Sequence, residues 1–155
     1  MRNSIRTCLW FRDGRGQEAA QYYCSLISNS KVENAHVGDN GYGEFSVVDF
    51  TLGGVPYQIL DAGPMFTLSE AVSIAVATDD QAETDRLWAA LTSNGGEETA
   101  CGWLKDRFGV SWQIYPKRLL ELTMNADKTV SSKAMAAMMK QKKIEITEIE
   151  AAVLS

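Results

Sequence analysis

The 155-residue sequence contains one histidine, His36, three cysteines and three prolines. A single imidazole excludes multi-histidine metal centres, and set in Ala35-His36-Val37-Gly38 beside a turn it reads as a surface residue rather than an acid or base. Cys8, Cys24 and Cys101 are odd in number and far apart, with no Cys-x-x-Cys pair, so neither a disulfide framework nor a zinc knuckle is expected. Three reduced thiols in a cytosol is the reading. No apolar run is long enough to span a bilayer. The start, Met1-Arg2-Asn3-Ser4-Ile5-Arg6-Thr7, soon meets Trp10-Phe11-Arg12-Asp13 and lacks the roughly seven apolar residues of a signal peptide. Basic residues are also in deficit, 15 against 20 acidic for a net charge of −5, which argues against nucleic acid or an anionic membrane as a partner.

What is present is an ordinary globular composition, 45% apolar and 23% charged, at a length that folds as one domain without staples. Ser4 to Phe11 is apolar enough for a buried strand closed by Arg12-Asp13-Gly14. From Gln17 to Ser28, Ala19, Tyr22, Tyr23, Leu26 and Ile27 recur at helical spacing. Three strands follow over about 31–37, 44–52 and 55–61, separated by Asp39-Asn40-Gly41 and Gly53-Gly54, residues that tolerate the positive φ of hairpin turns. After Ala62-Gly63-Pro64 the order recurs. A strand is expected over 71–78, then a helix opened by a capping box of Asp80 and Glu83 and stopped at Gly95-Gly96. Strands over 97–101, 103–108 and 110–115 complete it, with Lys105, Asp106 and Arg107 on a charged edge; a substrate carboxylate or phosphate held by Lys105 or Arg107 is the sharper alternative. Beyond Pro116 two helical signals appear, an Ala134/Met135/Met138/Met139 stripe and an Ile146/Ile149/Val153 stripe, with Lys140, Lys142 and Lys143 between.

The letters repeat as well as the elements. Gly54-Val55-Pro56-Tyr57-Gln58-Ile59-Leu60 aligns with Gly109-Val110-Ser111-Trp112-Gln113-Ile114-Tyr115 at one constant offset, and Gln17, Tyr23, Ile27 and Ser28 align with Gln81, Leu87, Leu91 and Thr92 at another. The fold class is therefore α+β: two tandem βαβββ units over about 4–62 and 70–116, a helical tail over about 117–155, and a single domain spanning 1–155.

Two such units in tandem resemble the vicinal oxygen chelate fold of glyoxalases, extradiol dioxygenases and bleomycin- or fosfomycin-resistance proteins. Within that superfamily the chain is identified as a member of the PhnB-like family. The resemblance is carried by Leu9-Trp10-Phe11, by the run from Glu18 to Tyr23, Gly63-Pro64-Met65-Phe66, Ser73 to Val76, Asp79 to Trp88, Cys101 to Ile114, and Met135 to Ile144. It implies a curled mixed sheet around a cleft, into which metal-using relatives project ligands from the first and fourth strand of each unit. Carried over, the fourth-strand positions are Gln58 and Gln113, amides where a carboxylate is usual. On the first strand two counts remain open, Arg6 or Cys8, with Val72 or Ser73 as second-unit partners. Strand alternation sets Gln58 and Leu60 opposite Val55, Tyr57 and Ile59, and Ser111, Gln113 and Tyr115 opposite Val110, Trp112 and Ile114.

The ligand-binding cleft is accordingly assigned to Cys8, Trp10, Gln58, Leu60, Ser73, Gln113 and Tyr115. These donors do not make a hard-cation site, so neither metal nor cofactor is expected. The glycine-rich Gly38–Gly43 stretch joins two strands and is a hairpin rather than a phosphate loop. The expected function is metal-independent binding of a small molecule of unspecified identity, by a cytoplasmic homodimer joined through its tail helices. A divalent-metal enzyme of glyoxalase, dioxygenase or isomerase type is the alternative, with Asp61 and Cys8 as first choices for its ligands or bases. A structural or partner-binding dimer is the third. A ubiquinone-precursor methyltransferase is disfavoured, because the doubly wound pattern and glycine-rich strand-to-helix loop of the common methyltransferase fold are not visible.

Overall fold

The computed structural model describes residues 5–155. Ser4, the expected start of the first strand, and the residues before it lie outside the described residues. The chain forms two compact units, 1–68 and 69–155.

The first unit runs β1 (Thr7–Phe11), α1 (Gly16–Leu26), β2 (Lys31–Asp39), β3 (Glu44–Leu52) and β4 (Val55–Asp61). Its four-stranded sheet has the order β1-β4-β3-β2, with β1 parallel to β4 and the other neighbours antiparallel. Hairpin chemistry places the last two strands where the sequence does, because Gly53 and Gly54 take φ of +58° and +84°, the pair of positive values a two-residue turn requires. Alternation sorts the faces. Leu9, Phe11, Val48, Phe50, Leu52 and Ile59 are buried with Ala19, Ala20 and Tyr23 of α1, while the opposite sheet face carries no helix of its own unit. The first strand is not buried throughout as expected: Thr7 and Cys8 are exposed and Trp10 is half-buried, since only alternate side chains reach the helix.

Helix α1 begins without a capping side chain of its own. Its orphan donors go to Asp61 at the end of β4, whose carboxylate accepts from the Gly16 amide at 2.9 Å and the Gly14 amide at 3.2 Å. A negative group at a helix N-terminus satisfies both the hydrogen bonds and the dipole. The approach is close enough to require glycine at 16, where a Cβ would sit 2.7 Å from Ile59 Cγ2.

The second unit repeats the pattern as β5 (Ser73–Thr78), α2 (Gln81–Thr92), β6 (Glu97–Glu98), β7 (Trp103–Lys105) and β8 (Ser111–Pro116), in the order β5-β8-β7-β6 with β5 parallel to β8. Three details correct the sequence reading. The capping box is half formed: Asp80 accepts from the Glu83 amide at 2.8 Å, but the Glu83 carboxylate turns to Arg86 in a two-point pair at 2.7 Å, a charge-assisted contact stronger than a neutral amide offers. Strands β6 and β7 are short. The charged edge is no edge at Asp106, which is buried and accepts from the Phe108 and Val110 amides and from Trp112 Nε1 at 2.8–3.0 Å, holding the β7–β8 turn together.

The tail contains three helices, α3 (Lys117–Thr123), α4 (Lys128–Met138) and α5 (Ile146–Leu154), where two were expected. The additional helix, α3, follows directly on β8. The tail has a core of its own, in which Leu119, Leu122, Ala134, Ile144 and Ile149 bury one another. Backbone bonds tie it to the unit, from Cys101 to Gln141 O and from Gly102 to Lys142 O, while Gln81 bridges Ile144 O and the Ile146 amide. Lys143 pairs with Asp85 and Glu145. The methionine stripe divides, with Met138 packed on this cluster and Met135 and Met139 exposed. Ile149→Ala is expected to lower unfolding free energy by about 2–5 kcal/mol in a urea titration, whereas Met139→Ala should change it by less than about 0.5 kcal/mol; equal effects would mean that the tail core is not a unit of stability.

Candidate functional site

The helix-free face of the first sheet is built from the strand residues that point away from α1. Register across β1, β4 and β3 sets Cys8 beside Gln58 and Gln58 beside Asp49, and in the next row Trp10 beside Leu60 and Leu60 beside Val47. Cys8, Trp10, Gln58 and Leu60, all assigned from sequence, thus share one face. Two residues that sequence reasoning did not assign together join them. Asp49 accepts from Gln58 Nε2 at 2.8 Å and is paired with Arg6, so its carboxylate is held between an amide and a guanidinium. Its position between Val48 and Phe50 on an alternating strand was the available signal.

These contacts determine protonation. The Gln58 hydrogen bond, with Arg6, holds the Asp49 carboxyl below its ordinary value against partial burial. Although the residue as a whole is exposed, partial burial pushes the Cys8 thiol up, more than a backbone bond at Leu60 lowers it, and Asp49 adds to the rise. Cys8 is therefore a thiol at neutral pH, not a nucleophilic thiolate. Because the Gln58 NH₂ is committed to a carboxylate, its orientation is determined, and its Oε1 accepts no hydrogen bond among the described residues.

On the face of the second sheet away from α2 lie Ser73, Gln113, Tyr115 and a buried Ser111. Gln113 Nε2 donates to Ser73 Oγ at 2.9 Å. The register neighbour of Gln113 on β5 is Ala75, not Val72 or Ser73; counted from the glutamine, Ala75 stands where Cys8 stands in the first unit and Ser73 where Arg6 stands. Tyr115 is half-buried and packs against the tail core, so part of its ring seats the tail. Lys105 is paired with Glu70 at 2.7 Å.

Asp61 is not on this face. It is buried on the helix side and committed to the start of α1, which removes it as a base. The same carboxylate fills the Gly14-Arg15-Gly16 strand-to-helix turn, whose amides are the ones a phosphate would need. Within each unit, no three His, Cys, Asp or Glu side chains of the described residues come together as a metal cluster.

Two βαβββ units, each with parallel first and fourth strands and one sheet face away from its crossing helix, define a vicinal oxygen chelate architecture. The fold is shared with the fosfomycin resistance protein FosX from Listeria monocytogenes, a mutant of which was solved with Mn(II) and 1S,2S-dihydroxypropylphosphonic acid, at TM-score 0.51 and 15% identity over 72% of this chain and 90% of that one. It is shared also with PA1353 from Pseudomonas aeruginosa, at TM-score 0.61 and 22% identity over 74% and 98%. More specifically, residues 3–115 match the 3-demethylubiquinone-9 3-methyltransferase family, and the chain belongs to that PhnB-like family. The PhnB protein from Bacillus cereus is 27% identical over 73% of this chain and 99% of its own, at TM-score 0.64. No curated protein matches.

Replacing Gln58 with Ala is expected to raise the Asp49 pKa toward its ordinary value of 3.8, read by carboxyl-carbon NMR titration. Because Asp49 titrates lower folded than unfolded, its contribution to stability is complete above the unfolded value near 4 and is lost as pH falls through the folded one. An unchanged Asp49 titration in Gln58→Ala would show that the amide does not hold the carboxylate.

Proposed function

We propose that the protein binds a small molecule without a metal ion at the helix-free sheet face of the first unit, which carries Cys8, Trp10, Gln58 and Leu60, and that Ser73, Gln113 and Tyr115, on the second sheet's face away from α2, are ligand-binding residues of their own unit. The observation that carries this reading is the Arg6–Asp49–Gln58 arrangement. Polar groups oriented in advance on a partly apolar surface are how small ligands are aligned, and here the Gln58 amide is oriented by its hydrogen bond to Asp49.

The donor chemistry does not fit a divalent cation. Gln58 and Gln113 are neutral amides, Cys8 is a lone thiol, Ala75 has no donor, and Asp49, the carboxylate beside Gln58, is already neutralised by a guanidinium that would repel a metal ion. Of the two groups named for the metal-enzyme alternative, Asp61 is taken up by the α1 terminus, and the raised pKa of Cys8 disfavours it as a base. Methyl transfer, which the family's description names, draws no support from mixed four-stranded sheets and a Gly14-x-Gly16 turn filled by Asp61. The homodimer and the cytosolic location belong to the proposal as well. A dimer would need apolar surface other than the tail core, and exposed Met135 and Met139 offer it.

Purified protein is expected to carry no stoichiometric zinc, iron, nickel or manganese by elemental analysis; near-stoichiometric metal that disappears in Gln113→Ala would overturn the metal-independent reading. For a ligand found by NMR fragment screening, Gln58→Ala should weaken one that shifts the first unit's face, and Gln113→Ala one that shifts the second unit's, by about 1–3 kcal/mol with the fold retained. Equal affinity in wild type, both single mutants and the double mutant would end the assignment of these faces.

A further inference from the structure

Beside Trp10 the first unit has a cavity of about 320 Å³ lined by Trp10, Tyr42, Glu44, Phe45, Pro64 and Met65 among others, near the lower end of the range for small-molecule sites. Three of these side chains are aromatic rings, and Glu44 supplies the one carboxylate. No lysine, arginine or histidine lines it among the described residues.

Two of the rings, Trp10 and Phe45, are packed against their neighbours, while Tyr42 at the rim is fully exposed. Trp10 spends its only polar atom on the Gly63 carbonyl, Nε1 to O at 2.9 Å, and its ring is met edge-on by Phe66 with centroids 4.8 Å apart; what remains for a ligand is π surface. Phe45 lies across Gly38, where an added Cβ would be 2.8 Å from its Cζ. The loop carrying Tyr42 is shaped by its own side chains, since Asp39 accepts from the Gly41 amide and Asn40 from the Tyr42 amide, while Gly41 and Gly43 take φ of +84° and +143°. The open hairpin is thereby held at the mouth of the cavity.

Rings with a negative quadrupole, one anion and no competing cation select against carboxylates and phosphates and in favour of positive charge on an apolar body. We infer that this cavity is a subsite for a small organic cation, an alkylated or quaternary ammonium group, with Glu44 as counter-ion. The inference rests on the small-molecule reading of this sheet face and names the chemical class that the Trp10 end of it accepts.

Choline and its uncharged carbon isostere dimethylbutanol separate charge from shape. Titrated into isotopically labelled protein, choline is expected to shift the Trp10 indole, Tyr42 and Glu44 resonances and to bind at least about fivefold more tightly than the isostere. Glu44→Gln and Tyr42→Ala, both at exposed positions, should each weaken choline several-fold, and Glu44→Gln should leave the isostere unchanged. Equal binding of the two probes, an unchanged choline affinity in Glu44→Gln, choline shifts confined to other residues, or no binding of either probe would overturn the cation assignment. A neutral or anionic fragment that binds in the screen and is weakened by Gln58→Ala would then show that the broader reading survives without it.

Discussion

Everything in each unit follows from the parallel pairing of its first and last strands. A parallel neighbour cannot be reached by a tight turn, so the chain must leave the sheet, cross it as a helix and return through two antiparallel strands before lying down beside its own start. One helix results, and one helix covers one sheet face. The other face is left by topology to carry whatever side chains alternate onto it, and in the first unit these include Arg6, Asp49 and Gln58, whereas the buried residues of the covered face are apolar apart from Asp61.

That division explains why two buried carboxylates are structural and the half-exposed one is the candidate for function. Asp61 and Asp106 each collect several donors from a chain reversal, one at the start of α1 and one in the β7–β8 turn. A buried carboxylate is tolerated only when its lone pairs are filled, and once filled it has no capacity left for chemistry. Asp49 is different because its partners, Arg6 and Gln58, lie on the open face with it. The arrangement is charge-balanced and oriented rather than reactive, which suits recognition better than proton transfer.

The two units share topology but have diverged in what their open faces offer. In the first, a guanidinium, a carboxylate, an amide and an indole lie together; in the second, a serine, an amide and a tyrosine that is partly taken up by the tail core, with Ser111 buried beside them. The glutamines remain paired by the repeat, yet one donates to an anion and the other to a neutral hydroxyl. Their environments are therefore not equivalent, and neither are the roles they can take.

By itself the sequence determined the tandem βαβββ order, the family and the sorting of Gln58 and Leu60 from Ile59, because period-two alternation, glycine at positive φ and a constant repeat offset are local properties of the chain. It also determined β3 and β4 to the residue, since Gly53-Gly54 permits one register. What only the tertiary structure decided depends on partners distant along the chain. Asp61 looked like a candidate base until α1 was seen to begin on it. Arg6 and Asp49 stand far apart in the sequence and became a pair only through strand register. The tail acquired its own core through the additional helix α3. The aromatic cavity beside Trp10 needed the β2–β3 hairpin and the segment after β4 to meet, and no periodicity in either segment encodes that meeting.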